Sequence, residues 1–124
     1  KSGGTSSQYL MADGSVSSGT SLPYAVYTAL ISQSATAAPV PTILENGIGA
    51  IVWTRAQAGY YQGTLTGAFP LLKTIVFITS SDVWSKIIVS AGTLTANVIE
   101  YSTTDYSGVL NDGNGVSIEI RVYP

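Results

Sequence analysis

The chain has 124 residues, with five Lys and Arg, seven Asp and Glu, a formal net charge of −2, and neither Cys nor His. That length suits one domain able to bury a core without metal or disulfide. The missing residue types exclude a disulfide framework, thiol- or imidazole-ligated metal and any Ser–His or Cys–His nucleophile, and the scattered basic residues argue against nucleic-acid binding.

Charged residues make up 10% of the chain, against roughly 25% in an average soluble domain. Sixteen Ser and fourteen Thr take their place. A surface wetted by hydroxyls rather than by repulsion tolerates close contact with copies of itself. No apolar run of about 18 residues occurs, so no membrane insertion is expected. The chain starts at Lys1 without a secretory signal pattern, and a fragment or trimmed product is the expectation.

Residues 1–22 are polar and rich in Gly and Ser, with Tyr9, Leu10 and Met11 as the only apolar group before Val16. "ADGS" at Ala12–Ser15 predicts a turn, because Asp-Gly readily takes positive φ. The segment reads as an extended stalk or linker with one turn. After Pro23, "YAVYTALIS" (Tyr24–Ser32) favours a strand, with a helix started at Pro23 as the alternative. "APVP" (Ala38–Pro41) must be extended and cannot lie in a central strand.

From Ile48 onward strand signals recur at roughly the 8–12-residue spacing of all-β domains. They are "IGAIVWT" (Ile48–Thr54), "YYQGTLT" (Tyr60–Thr66), "TIVFIT" (Thr74–Thr79), "VWSKIIVS" (Val83–Ser90), "LTANVIEY" (Leu94–Tyr101) and "VSIEIRV" (Val116–Val122). "RAQAG", "GAFP", "SSD", "AG" and "LNDGNG" separate them as turns. In the last strand Val116, Ile118, Ile120 and Val122 share a dry face, while Ser117, Glu119 and Arg121 share a wet one. "TIVFIT" is apolar on both faces, as in a strand covered on both sides. The pattern predicts an all-β fold: an antiparallel β-sandwich or jelly-roll-like domain over residues 23–124.

Little in the sequence points to catalysis or to a cofactor. "GIG" (Gly47–Gly49) and "GNG" (Gly113–Gly115) lack the longer phosphate-loop pattern and lead into no helix. "NDGNG" (Asn111–Gly115) lacks the carboxylate spacing of a calcium loop. Glycoside hydrolysis needs two facing carboxylates. Asp13, Asp82 and Asp112 instead sit in turn signals, where Asp satisfies backbone N–H groups. No metal, cofactor or catalytic residue is assigned. The aromatic residues are the other available tool, since their flat faces can pack a core, a subunit contact or a sugar ring. Tyr60-Tyr61 places one ring on each side of its strand. Trp84 and Tyr61 as exposed rings, with Asp105 and Asn114 in loops, are the candidate ligand contacts.

"GGTSSQYLMADGSV" (Gly3–Val16) resembles a segment that recurs in fibre proteins of tailed phages, especially those infecting Bacteroidota, where it precedes distal fibre domains. "YAVYTALISQSATAAPVPTILENGIGAIVWTR" (Tyr24–Arg55), "GTLTGAF" (Gly63–Phe69) and "SIEIRVYP" (Ser117–Pro124) resemble such a distal domain. The resemblance implies a head or tail fibre on the virion surface, built as a homotrimer and used for host attachment. The implied partners are further copies of itself, a host cell-surface glycan or protein, and other virion proteins. Closed threefold symmetry would bury a shared apolar seam and multiply weak receptor contacts. In that picture three stalks run together with Tyr9, Leu10 and Met11 near the axis. A stand-alone carbohydrate-binding module and a polysaccharide-degrading fibre tip are the competing expectations.

Overall fold

Alternation of apolar and polar residues in the last strand organises one of two sheets. The computed structural model describes residues 8–17, 22–80, 88–105, 107–113 and 115–124, all strand, turn or irregular chain with no helix among them. Ten strands follow in order: β1 (Tyr9–Leu10), β2 (Val16–Ser17), β3 (Ala25–Ser32), β4 (Val40–Asn46), β5 (Val52–Gln57), β6 (Tyr60–Thr64), β7 (Thr74–Ser80), β8 (Ile88–Thr95), β9 (Val98–Thr104) and β10 (Gly115–Val122). Two four-stranded antiparallel sheets, β4-β3-β10-β7 and β5-β6-β9-β8, pack as a β-sandwich.

β10 sits in the middle of its sheet and turns Val116, Ile118 and Ile120 into the core, each 3% exposed or less. Its wet face carries Glu119 and Arg121, joined as an ion pair with Nε donating to Oε1 at 2.5 Å. The Arg121 guanidinium also lies 4.9 Å from the ring centres of both Tyr24 and Phe77, a cation–π arrangement. Opposite, Trp53, Tyr61, Ile99 and Tyr101 project inward from β5, β6 and β9. Tyr61 stacks on Tyr101 with centroids 4.7 Å apart, and Trp53 meets Tyr101 edge-on at 5.7 Å. Trp53 Nε1 donates to the Tyr27 hydroxyl at 3.3 Å, tying the two sheets across the core. Tyr27, Tyr61 and Phe69 are fully buried, and each contributes roughly 2–3 kcal/mol by leaving water. Gly63 is required by this packing, because a Cβ there would lie 2.9 Å from both Ile51 and Trp53.

The segment expected to be an extended lead-in with one turn makes that turn within residues 9–17. β1 and β2 pair, Tyr9 opposite Ser17 and Leu10 opposite Val16. The expected turn at Ala12–Ser15 reverses the chain, with Gly14 at φ 83° and Asp13 Oδ1 accepting the Ser15 N–H at 2.9 Å. Leu10 and Met11 are exposed; the Tyr9 side chain lies outside the described set.

β4 continues beyond the expected extended segment, and its Pro41 is tolerated because β4 is an edge strand. β7 is also an edge strand, and it is covered on one face only: Ile75 and Phe77 are 44% and 46% exposed. The expected turn at Ala91-Gly92 lies inside β8, and the true hairpin turn is Ala96-Asn97. That turn is fixed by Asn97, whose side-chain oxygen accepts the Gly67 N–H at 2.7 Å and whose own N–H donates to Thr95 Oγ1 at 3.1 Å.

Candidate functional site

Strand parity decides which tyrosine meets solvent. β6 pairs Tyr61 with Tyr101 and Tyr60 with Ser102. Tyr61 therefore faces the core at 0% exposure, and its expected role as an exposed ring is corrected: a sugar cannot reach it. Tyr60 is the ring on the outside, partly exposed. Its hydroxyl donates to Glu100 Oε2 on β9. Gln62 stands opposite Glu100 on the same face, and Thr54 opposite Gln62.

On the far side of Glu100 its cross-strand partner is Gly92 of β8. With no side chain at Gly92, a depression of about 170 Å³ opens on the sheet, lined by Tyr60, Gly92, Glu100 and Ser102 over Ala91 and Tyr101. It combines an aromatic ring, a carboxylate and a hydroxyl on an outer face that also carries Thr54, Gln62 and Thr64. The described basic residues lie elsewhere: Arg55 at the end of the sandwich, Lys73 before β7 and Arg121 on the opposite sheet.

The other sheet's outer face is more apolar. Leu30, Ile75 and Phe77 are each close to half exposed. Leu30, Phe77, Thr79, Ser117 and Glu119 border a shallow depression of about 250 Å³ there.

A polar cluster closes one end of the core. Asp112 accepts from Arg55 Nε at 3.0 Å and Nη2 at 2.7 Å, from the Gly59 N–H at 2.9 Å and from the Tyr61 hydroxyl at 2.7 Å. The Arg55 guanidinium, aided by Gly59 and Tyr61, holds the Asp112 carboxyl well below the usual carboxylate range despite the opposing effect of burial. Burial, and then the hydrogen bond to Asp112, push Tyr61 from the ordinary value of 10.0 up to about 12. The folded value lies above the unfolded one, so this stabilisation is complete below pH 10 and is lost as pH rises toward 12. Thermal melts across that window are expected to show a falling melting temperature, with a shallower fall in Tyr61→Phe; an unchanged slope in the variant would contradict the assignment.

The remaining candidate residues divide as follows. Asp105 Oδ1 accepts the N–H groups of Ser107 and Val109 at 2.8 and 3.0 Å, and so it builds its own loop. Trp84 and Asn114 lie outside the described residues. Among the described carboxylates, Asp13 and Asp105 serve turns, Asp112 is held by Arg55, Glu119 by Arg121 and Glu100 by Tyr60, while Glu45 is exposed on the edge strand β4. Tyr60 and Glu100 were missed as a pair, though the signal was present: Gln62 and Thr64 mark the face of Tyr60 as wet, and Leu65 marks that of Tyr61 as dry. Comparison with protein-family models, with curated proteins and with solved structures finds no match for this chain.

Proposed function

We propose that the chain is a non-catalytic attachment domain of a phage virion fibre that grips its host through a surface glycan. The observation that carries the reading is the Tyr60–Glu100 depression on the outer face of β5-β6-β9-β8, where a flat ring and a hydrogen-bonding carboxylate stand together. Aromatic rings beside polar groups suit sugars, which have apolar faces and hydroxyl edges. The sequence resemblance at Gly3–Val16 and Ser117–Pro124 supports placement on a virion fibre. The low charge and the half-exposed Leu30, Ile75 and Phe77 support self-association as a homotrimer.

Two measurements test this reading. Light scattering at micromolar concentration is expected to give three times the chain mass of 12.9 kDa, and Phe77→Ser is expected to lower it. A wild-type mass of one chain would remove the trimer. Fluorescently labelled protein is expected to adhere to at least one isolate in a panel of Bacteroidota; adherence to none would remove the attachment role. A stand-alone carbohydrate-binding module is the second reading, supported by the same Tyr60–Glu100 pair, which such a module would also need. Glycan binding by a monomer would decide for it.

A further inference from the structure

Resting on the attachment reading, we infer that the depression at Tyr60, Gly92, Glu100 and Ser102 takes one neutral pyranose unit of the host polysaccharide, and that it discriminates against acidic sugars. Glu100 supplies the selectivity. An ionised carboxylate only accepts hydrogen bonds, so its ligand must donate, and hydroxyl-to-carboxylate bonds are among the stronger ones. One Glu100 oxygen receives the Tyr60 hydroxyl, which anchors the ring beside the carboxylate. A uronate or sialate would bring a second negative charge to Glu100, and among the described residues no cation on this face offsets it.

Gly92 supplies the space. Its backbone has an ordinary φ, and a Cβ built on it meets nothing within 4 Å. Glycine weakens a strand interior, and in such a place it often marks a close approach by another group. Here the absent side chain leaves room for a ligand against Glu100, its cross-strand partner.

Gly92 also permits a variant that separates binding from folding. Gly92→Val adds a branched side chain that favours strand geometry and fills the depression from its floor. The 124-residue chain is run in affinity electrophoresis against three neutral polysaccharides (mannan, galactan and dextran) and against acidic polygalacturonate. At least one neutral polymer is expected to retard the protein and polygalacturonate is not. Gly92→Val and Tyr60→Ala each weaken that retardation tenfold or more, while Gly92→Val melts no lower than wild type. Stronger retardation by polygalacturonate, retardation by none of the neutral polymers, or retardation that survives Gly92→Val overturns the inference. The cell assay separates the two levels: adherence to Bacteroidota that persists in Gly92→Val sinks this site and leaves attachment standing, whereas wild-type protein that adheres to no isolate sinks attachment itself.

Discussion

Replacing Asp112 with alanine is expected to lower the melting temperature by about 10 °C, as read by circular dichroism. The side chain is 24% exposed and accepts from the Tyr61 hydroxyl and the Gly59 N–H. The Tyr61 hydroxyl belongs to a fully buried residue, and Gly59 is buried as well. A buried donor left without its acceptor costs about 1–3 kcal/mol. Two such donors, with some water reaching the vacated site, give roughly 2–3 kcal/mol, and a domain of this size loses about 3–5 °C per kcal/mol.

The pH dependence carries a definite sign. The folded-state value of Asp112 lies below the ordinary 3.8, so the folded protein binds fewer protons there than the unfolded chain. The stabilisation is complete above the ordinary value and is lost as pH falls from there through the folded one. Melts between pH 7 and pH 2 should show a drop beginning near pH 4, and Asp112→Asn should flatten it. Parallel profiles for wild type and Asp112→Asn would mean that the carboxylate charge contributes nothing to folding.

The same cluster shows where sequence reading stops. Asp112 was legible as a turn residue satisfying backbone N–H groups, and it does accept one, but from Gly59, far back in the chain. That donor and Arg55 come from the β5–β6 hairpin, and no local pattern reveals the meeting. Alternation worked where one face is dry and the other wet: β10 and its Glu119–Arg121 pair were readable residue by residue. It failed where that contrast is missing. β4 has exposed Val40, Ile43 and Leu44 on an edge, with no period to betray a strand. β7 carries apolar residues on both faces, which implies two coverings; the described residues supply one.

Glycine misled at Gly92 for a physical reason. Gly marks both turns and vacated strand positions, and "SAGT" contains nothing to separate them. Asn97, a turn residue by chemistry, sat inside a stretch whose Val98 and Ile99 favour strand. For Tyr60 and Tyr61 the alternation was visible and the parity was not, until Gln62 and Thr64 are counted with the ring they accompany. The resemblance to fibre proteins bears on function and adds nothing to these local decisions.

Gly59→Ala is expected to be severely destabilising. Gly59 has φ +64°, and a Cβ there would lie 2.5 Å from Asn111 N and Thr103 O and 2.8 Å from Asn111 O. All three are backbone atoms, so no rotamer change relieves the contact. They also form the lock that joins the β5–β6 turn to the β9–β10 loop. Thr103 N donates to Gly59 O at 2.9 Å and Asn111 N donates to Thr103 O at 3.0 Å, while Thr103 Oγ1 donates to Asn111 O at 2.5 Å. Pushing the strands apart breaks these bonds together with the one from Gly59 N to Asp112.

A left-handed alanine costs about 1–2 kcal/mol, and each lost buried bond adds about 1 kcal/mol or more. A total above roughly 4 kcal/mol approaches the whole stability of many domains. The expected outcome is a variant largely unfolded at 37 °C. Gly67→Ala supplies the control, because Gly67 has φ +67° with nothing within 4 Å of the added Cβ. It isolates the backbone cost, about 1–2 kcal/mol, from the steric one. If the two variants lose the same stability in urea titrations, the turn does not approach β9 as closely as described. A deficit several-fold larger at Gly59 shows that the end of the sandwich opposed by Asp112 is held by direct backbone contact, which no compensating side chain can restore.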